Sequence, residues 1–274
     1  MLRRFSLYGL LKNQRYFEAF LVLAFMERGL GFAEIGGLVA LRELTTNVLE
    51  VPSGVMADLL GRRRTMVASF AAYVVAYLVL GLVPWLPALA LGMLLIGVGD
   101  AFRSGTHKAM IFDWLAAQGR QDERVEVYGH TRSWSQVGSA VAVPIAAGVV
   151  FWRGGYSDVF WLSAIPAAIN LVNLATYPRT LEGSRRPDAT MGDTARALWA
   201  TARTLWPRRS LRGLLVEAAA FSGLYKAVKD YLQPLLEGVA LSLPLLVTHA
   251  EASRSAVLVG MVYVVLFGLS AVAS

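Results

Sequence analysis

Long apolar blocks separated by short polar links follow one another along the whole chain. An α-helix needs about 20 consecutive, mostly apolar residues to cross a membrane. Eight blocks of roughly this length occur, with approximate bounds Leu7–Met26, Phe32–Ala57, Thr65–Val83, Ala88–Trp114, Tyr128–Phe151, Val159–Tyr177, Leu211–Leu235 and Ser255–Ala273. The pattern therefore predicts an all-α, polytopic helical membrane protein.

Three of these blocks carry additional signals. Asn13 and Glu18 lie inside the first, so that helix is predicted to turn one face toward protein or water. The third block is almost purely apolar and is expected to face lipid. The seventh is expected to break near Pro234, because proline removes a helical hydrogen bond.

A basic, hydrophilic stretch interrupts the pattern after the sixth block. Arginines recur through residues 178–210. Apolar side chains recur there at helical spacing, at Ala195, Leu198, Trp199, Ala202 and Leu205. This combination predicts an amphipathic helix that lies on the membrane surface, with its arginines toward anionic headgroups.

Composition supports a membrane protein and excludes several kinds of site. Of the 274 residues, 56% are hydrophobic and 16% are charged, whereas soluble domains have about 25% charged residues. The net charge of +7 does not indicate a nucleic-acid partner, because the arginines lie mainly in links that a positive bias keeps in the cytoplasm. The absence of cysteine excludes disulfides, thiolate metal sites and cysteine nucleophiles.

A short basic link joins the second and third blocks. Residues 54–64 read Gly-Val-Met-Ala-Asp-Leu-Leu-Gly-Arg-Arg-Arg. So short and basic a link predicts a helical hairpin with a cytoplasmic turn. The segment resembles the G-x-L-A-D-x-x-G-R-[RK]-[RK] loop of the major facilitator superfamily, with Met56 for the usual Leu and Leu59 where Arg or Lys is usual.

The resemblance implies a division of the chain. Residues 1–177 would form the first six-helix bundle, residues 178–210 the cytoplasmic central loop, and residues 211–274 helices seven and eight of a partial second bundle. Because this family has twelve helices, the chain looks truncated after helix eight, with second-half helices missing; a natural eight-helix protein is the alternative. Residues 97–113 resemble a bacterial branch, which implies the bacterial cytoplasmic membrane, and the basic links place the amino terminus in the cytoplasm.

Polar residues form stripes on several predicted spans. Each stripe repeats at i, i+3, i+4 and i+7, so its members share one helix face. A charge in hydrocarbon costs at least about 2.5–3.5 kcal/mol, so the stripes are predicted to converge on a central cavity, as the resemblance also implies. The candidate cavity residues are Glu18, Glu43, Asn47, Glu50, Asp100, Arg103, His107, Lys226 and Asp230.

These side chains suit more than one role. The carboxylates are candidate proton carriers, Arg103 and Lys226 are candidates for binding an anionic group, and His107 titrates near neutral pH. Internal salt bridges that only fix helix register are the alternative interpretation.

The resemblance also implies a cytoplasmic gating cluster. Its candidate residues are Gly54, Asp58, Gly61, Arg62, Arg63 and Asp113. In the family, an acid at the position of Asp113 joins the loop Asp and Arg in a charge relay that stabilises the outward-facing state. A simple interfacial anchor is the alternative role for Asp113.

These observations predict a transporter that moves a small solute by alternating access, coupled to protons, with efflux favoured. Its partners would be the solute, protons and the lipid bilayer. One alternative is a non-transporting receptor or scaffold on the same fold. Another is an intramembrane enzyme, against which the absence of H-E-x-x-H, G-x-S-x-G and phosphate-binding motifs argues. Three isolated histidines lack metal-ligand spacing, so neither a metal nor a cofactor is expected.

Overall fold

The computed structural model describes residues 1–182, 192, 196, 203, 209–244 and 246–272. This part of the chain is almost entirely helical and contains no strand. Its α-helices are α1 (Leu2–Lys12), α2 (Leu21–Glu27), α3 (Phe32–Leu60), α4 (Arg62–Leu82), α5 (Leu86–Arg103), α6 (Thr106–Ala117), α7 (Arg124–Arg153), α8 (Asp158–Ala175), α9 (Arg209–Ser242) and α10 (Glu251–Val272). The surface helix predicted around residues 195–205 lies mostly outside the described residues.

Among the described residues, four segments have the length and apolar composition of a membrane crossing. They are Arg62–Leu82, Leu86–Ala117, Gln121–Arg153 and Asp158–Ala175, and they correspond to the third to sixth predicted blocks. Together with the all-helical architecture they confirm the prediction of a polytopic helical membrane protein.

The helices pack side by side into one bundle with two distinguishable ends. Helix α4 packs against α5 and α8, α3 against α5, and α1 against α7, while α10 packs against α7. We call the end that contains residues 54–64 the motif end. The opposite end contains residues 28–31 and 154–157, where the Glu27 carboxylate accepts hydrogen bonds from Tyr156 N (3.1 Å) and Ser157 Oγ (3.3 Å).

The first predicted span is wrong as one continuous helix. Residues 13–20 separate α1 from α2. Asn13 leaves the helical path because its Nδ2 donates to Ser135 O (3.1 Å) and Ser139 Oγ (3.0 Å) on α7. Beyond the break, the side chain of Gln233 on α9 accepts a hydrogen bond from Val22 N (2.9 Å). This pairs a backbone N–H that has no partner within the broken helix.

The fourth predicted span is also interrupted. Helix α5 ends at Arg103, and α6 begins at Thr106. Gly105 between them has φ of +70°, a left-handed conformation that glycine adopts without steric cost. The polar stripe on this span therefore bends at its centre and does not follow one straight helix face.

The expectation that the third block faces lipid is wrong for half of its surface. Helix α4 buries a stripe that includes Ser69, Phe70, Tyr73 and Tyr77. Ser69 Oγ donates to Gly99 O on α5 at 2.7 Å. Apolar composition cannot distinguish a lipid-facing surface from one that packs on neighbouring helices, because both environments exclude water.

The predicted break near Pro234 is wrong as well. Helix α9 continues through this proline to Ser242. Gln233, whose side chain is fully buried, also donates to Glu18 O at 3.0 Å and so ties this turn of α9 to the segment before α2. A neighbouring helix can hold a proline-containing helix in this way despite the lost hydrogen bond.

Glycines permit the close approach of α1 and α7. A methyl group on Gly138 would overlap the carbonyl oxygen of Leu10, and one on Gly9 would overlap the carbonyl oxygen of Thr131. Backbone atoms cannot move aside as a flexible side chain does. Small residues at a helix crossing are the usual means of tight packing within membranes.

We therefore expect Gly138→Ala to lower the free energy of unfolding by about 1–3 kcal/mol, because overpacking must separate the two helices. Gly148→Ala is the matched control: it lies on the same helix, and a methyl group there meets nothing within 4 Å. The unfolding temperature of the detergent-purified variants measures the difference. Equal stability of the two variants would show that the α1–α7 crossing tolerates the methyl group.

Candidate functional site

A charged cavity of about 690 Å³ lies among α1, α3, α5, α6, α7 and α9. It is lined by Arg42, Glu43, Thr46 and Glu50 of α3 and by residues from the other helices and the two helix breaks. The charged lining residues are Lys12, Arg15, Glu18, Arg42, Glu43, Glu50, Asp100, Arg103, Lys108, Arg132, Lys226, Lys229 and Asp230.

Asp100 lies at the centre of the charged wall. Its carboxylate pairs with Arg15 Nη2 at 2.5 Å, with Arg42 Nη2 at 3.2 Å and with Arg103 Nη2 at 3.5 Å. Tyr73 Oη donates to the same carboxylate at 2.7 Å. The Asp100 side chain is only 12% exposed, so one buried negative charge is shared by three positive charges from three segments of the chain.

The other predicted carboxylates have different surroundings. Glu18 pairs with Arg15 at 3.4 Å. Glu43 pairs with Lys226 at 2.5 Å, and this ion pair joins α3 to α9 across the cavity. Glu50 accepts a hydrogen bond from Ser104 Oγ at 2.8 Å.

Eight of the nine predicted cavity residues line this cavity, including His107 and Asp230. The His107 ring is buried and stacks on Tyr8 with ring centroids 3.6 Å apart. Asn47 is placed differently: it is exposed and is not among the lining residues. At about 100° per residue, Asn47 lies at the edge of the face that Arg42, Glu43, Thr46 and Glu50 present to the cavity.

The lining residues reach farther toward the motif end than toward the opposite end. Those on α3 lie in the middle of the helix, Asp100 and Arg103 lie in the last turn of α5, and those on α7 lie in its first half. At the opposite end, Tyr231 Oη donates to Phe32 O at 3.0 Å, and Tyr156 Oη donates to Glu237 Oε1 at 2.8 Å. Burial raises the pKa of Tyr156 above its ordinary value, so this hydroxyl keeps its proton and remains a donor.

The predicted gating residues form two ion-pair clusters at the motif end. Arg62 pairs with Asp113 and lies 3.9 Å from Asp58. Arg63 pairs with Glu182 at 3.0 Å, a partner that the sequence did not indicate. Gly61, with φ of +98°, makes the turn between α3 and α4 that presents these arginines.

Gly54 lies on α3, and a methyl group there would meet nothing within 4 Å. It takes no part in the two ion-pair clusters, so the structure brings together five of the six predicted gating residues.

Sequence reasoning missed Arg42 and Tyr73. Arg42 lies four residues before Thr46 and eight before Glu50, so the same helical spacing identifies it. Tyr73 gave a weaker signal, a single phenol within an apolar span. Its hydroxyl, which donates to Asp100 and accepts from Arg103 Nε at 3.0 Å, reveals its role only in three dimensions.

We expect Asp100→Asn to destabilise the protein by about 3–5 kcal/mol, because it leaves three buried guanidinium groups without their shared carboxylate. Asp230→Asn, the matched control, makes the same chemical change in the same cavity at a carboxylate with no ion-pair partner within 4 Å among the described residues. Unfolding temperatures of the two purified variants test this. If Asp230→Asn were as unstable as Asp100→Asn, the three-arginine cluster would contribute no more to stability than another carboxylate of the cavity.

Comparisons with known proteins place this geometry in a family. The sequence model of the Major Facilitator Superfamily matches residues 13–274. A search of curated proteins finds no match.

Several solved structures share the fold. A variant of the nucleoside transporter NupG superposes with a TM-score of 0.79 at 13% identity, over 98% of this chain and 66% of that one. Another NupG structure gives 0.69 at 14% identity, over 98% and 64%. The peptide transporter POT in complex with sulfate gives 0.52 at 17% identity, over 88% and 48%.

At these identities the likeness concerns the fold alone, and this chain spans about half to two thirds of the length of those structures. The family match, in contrast, extends over nearly the whole sequence and includes the basic motif that first indicated it and all lining residues of the cavity except Tyr8 and Lys12. The chain therefore belongs to the major facilitator superfamily, a family of membrane transporters.

Proposed function

We propose that the protein is a secondary transporter that moves a small solute through the charged cavity by alternating access. The observation that carries this proposal is the asymmetry of the cavity. We infer that it opens toward the motif end, because its lining residues reach farther toward that end, and at the opposite end hydrogen bonds join Tyr231 to Phe32 and Tyr156 to Glu237. A cavity open to one side only is one of the two states that alternating access requires.

The helix pattern supports two unequal groups of spans. If α1 with α2, and α5 with α6, each count as one broken span, α1 to α8 make the six spans proposed for residues 1–177. Helices α9 and α10 then begin a second group, after a central loop at residues 178–210. The Glu43–Lys226 ion pair lies between the two groups, where rocking motion would break it.

We further propose that the motif end faces the cytoplasm of a bacterial cell, which also places the amino terminus there. Arg62, Arg63 and Arg64 lie at this end, as the positive bias of cytoplasmic links favours. The cavity is then open to the cytoplasm in this structure. An inward-open cavity belongs to the cycle of exporters and importers alike, and export stays the proposed direction.

Proton coupling is assigned to Glu50. Within the described residues its carboxylate has a neutral hydroxyl, Ser104 Oγ, as hydrogen-bond partner and no Lys or Arg within 4 Å. Asp100, Glu43 and Glu18, in contrast, pair with cations. Asp230, which also has no ion-pair partner within 4 Å among the described residues, is the second candidate. A carboxylate that faces a cavity without a fixed counter-charge can gain and lose a proton without breaking an ion pair.

The first test uses the absence of cysteine from the chain, which makes a single introduced thiol an unambiguous probe. We expect Thr46→Cys, on the cavity wall, to react rapidly with a membrane-impermeant maleimide from the cytoplasmic face and slowly from the other face. Trp85→Cys, in the exposed turn before α5, is the control and should react only from the outer face. Reaction of Thr46→Cys from one face under all conditions would contradict alternating access and favour a receptor or scaffold.

The second test addresses the proton. Glu50→Gln removes the carboxylate charge, as a bound proton would, and so lowers the cost of closing the cavity around this position. Cytoplasmic labelling of Thr46→Cys at a fixed pH should therefore be slower when Glu50→Gln is added.

Glu126→Gln, an exposed change at the start of α7, should leave the rate of labelling unchanged. If Glu50→Gln also leaves it unchanged, Glu50 is not the coupling residue.

A further inference from the structure

The interruption between α5 and α6 places the start of a helix at the cavity wall. Gly105, His107 and Lys108 line the cavity, and α6 runs for 12 residues from Thr106 to Ala117. The first N–H groups of an α-helix have no partner within the helix, and the aligned peptide dipoles put partial positive charge at this end. The N-terminus of α6 at the cavity wall therefore favours the binding of a negatively charged group.

His107 supplies an independent indication of a ligand at the same place. The side chain lines the cavity, yet the residue is only 5% exposed. Its Nε2 atom is buried and has no hydrogen-bond partner in the described part of the chain. Because buried polar atoms are normally paired, this nitrogen is available for a group that enters the cavity.

Positive charge exceeds negative charge around this terminus. Among the described lining residues, eight are Lys or Arg and five are Asp or Glu. Lys12 and Arg132 make no ion pair within 4 Å with any described residue, whereas Glu43 and Asp100 are already held by cations. The Lys12 ammonium lies 5.8 Å from the centre of the Tyr8 ring, on which His107 stacks, so both groups lie against the same ring.

Glu50 is an acidic residue bonded to this wall. Its carboxylate accepts a hydrogen bond from Ser104 Oγ, just before the α6 terminus. One carboxylate does not balance Lys12, Lys108 and Arg132. The local surplus is therefore positive even with Glu50 ionised.

We propose that the solute of this cavity carries an anionic group, a carboxylate or a phosphate, which binds at the α6 N-terminus between Lys12 and His107. The neutral His107 ring donates from Nε2–H, and the Lys12 ammonium adds a charge-assisted hydrogen bond. The helix terminus adds N–H groups other than that of Thr106, which donates to Ser104 O at 2.8 Å. This inference rests on the proposed function, because it names the substrate class of the same cavity.

The test measures anion binding to the purified protein by thermal unfolding. Inorganic phosphate and succinate are titrated against chloride at constant ionic strength. We expect saturable stabilisation by at least one of the two, and the more effective one identifies the preferred group. Lys12→Gln and His107→Phe should each weaken the apparent affinity roughly tenfold, since each removes one hydrogen bond to a charged group.

The variants are chosen to leave the fold intact. Phenylalanine at position 107 preserves the ring that stacks on Tyr8, and Lys12 has no ion pair to lose among the described residues. Arg153→Gln, which removes the same charge at an exposed site of the opposite end, should bind as the parent does. Equal binding by all variants, or no saturable stabilisation, would overturn the proposal.

Failure of this proposal is distinguishable from failure of the transport proposal. If Thr46→Cys is labelled from both membrane faces but no anion binds, alternating access is supported and the anion site is contradicted. Anion binding that depends on Lys12 and His107, with labelling from one face only, would support the site in a protein that does not transport.

Discussion

One buried carboxylate determines how the central helices are arranged. Asp100 can remain in an apolar bundle because Arg15, Arg42 and Arg103 reach it together and Tyr73 donates a hydrogen bond to it. These groups come from the break before α2, from α3, from α4 and from α5. Loss of any one contact leaves charge unpaired where desolvation is most costly, so the four segments hold one another in register.

The break between α1 and α2 depends on contacts with other helices as well. A continuous first helix would form its own backbone hydrogen bonds, but Asn13 would then lose its partners on α7. Non-helical backbone at membrane depth is tolerated where protein or a cavity surrounds it. Gln233 provides such surroundings, since it bonds backbone on both sides of Leu21. The break therefore ties α9 to the first helices near the end opposite the motif end, while the Glu43–Lys226 pair connects them at the cavity.

The sequence predicts features that depend on one helix alone, but not features that depend on contacts between helices. Spans from Arg62 to Ala175 are recognisable because length and hydropathy belong to each helix alone. The breaks, the buried face of α4 and the continuation of α9 through Pro234 depend on contacts with other helices. The same holds within the cavity: spacing along α3 and α5 identifies Glu50 and Asp100, but only the fold shows which carboxylate is held by cations.

The distribution of charge also bears on whether the ionic residues are only structural. Ion pairs of opposite charge are enough to fix the register between helices, and Glu43 with Lys226 is such an ion pair. Structure alone gives no reason for Lys12 and Arg132 at the cavity wall, where the described residues offer them no acid within 4 Å and water must solvate them. Insertion of each charge into a membrane protein has a cost that pairing does not offset here. The cavity wall has a surplus of positive charge, and His107 Nε2 in the same wall has no hydrogen-bond partner among the described residues. This arrangement is expected of a site at which the solute supplies the negative charge.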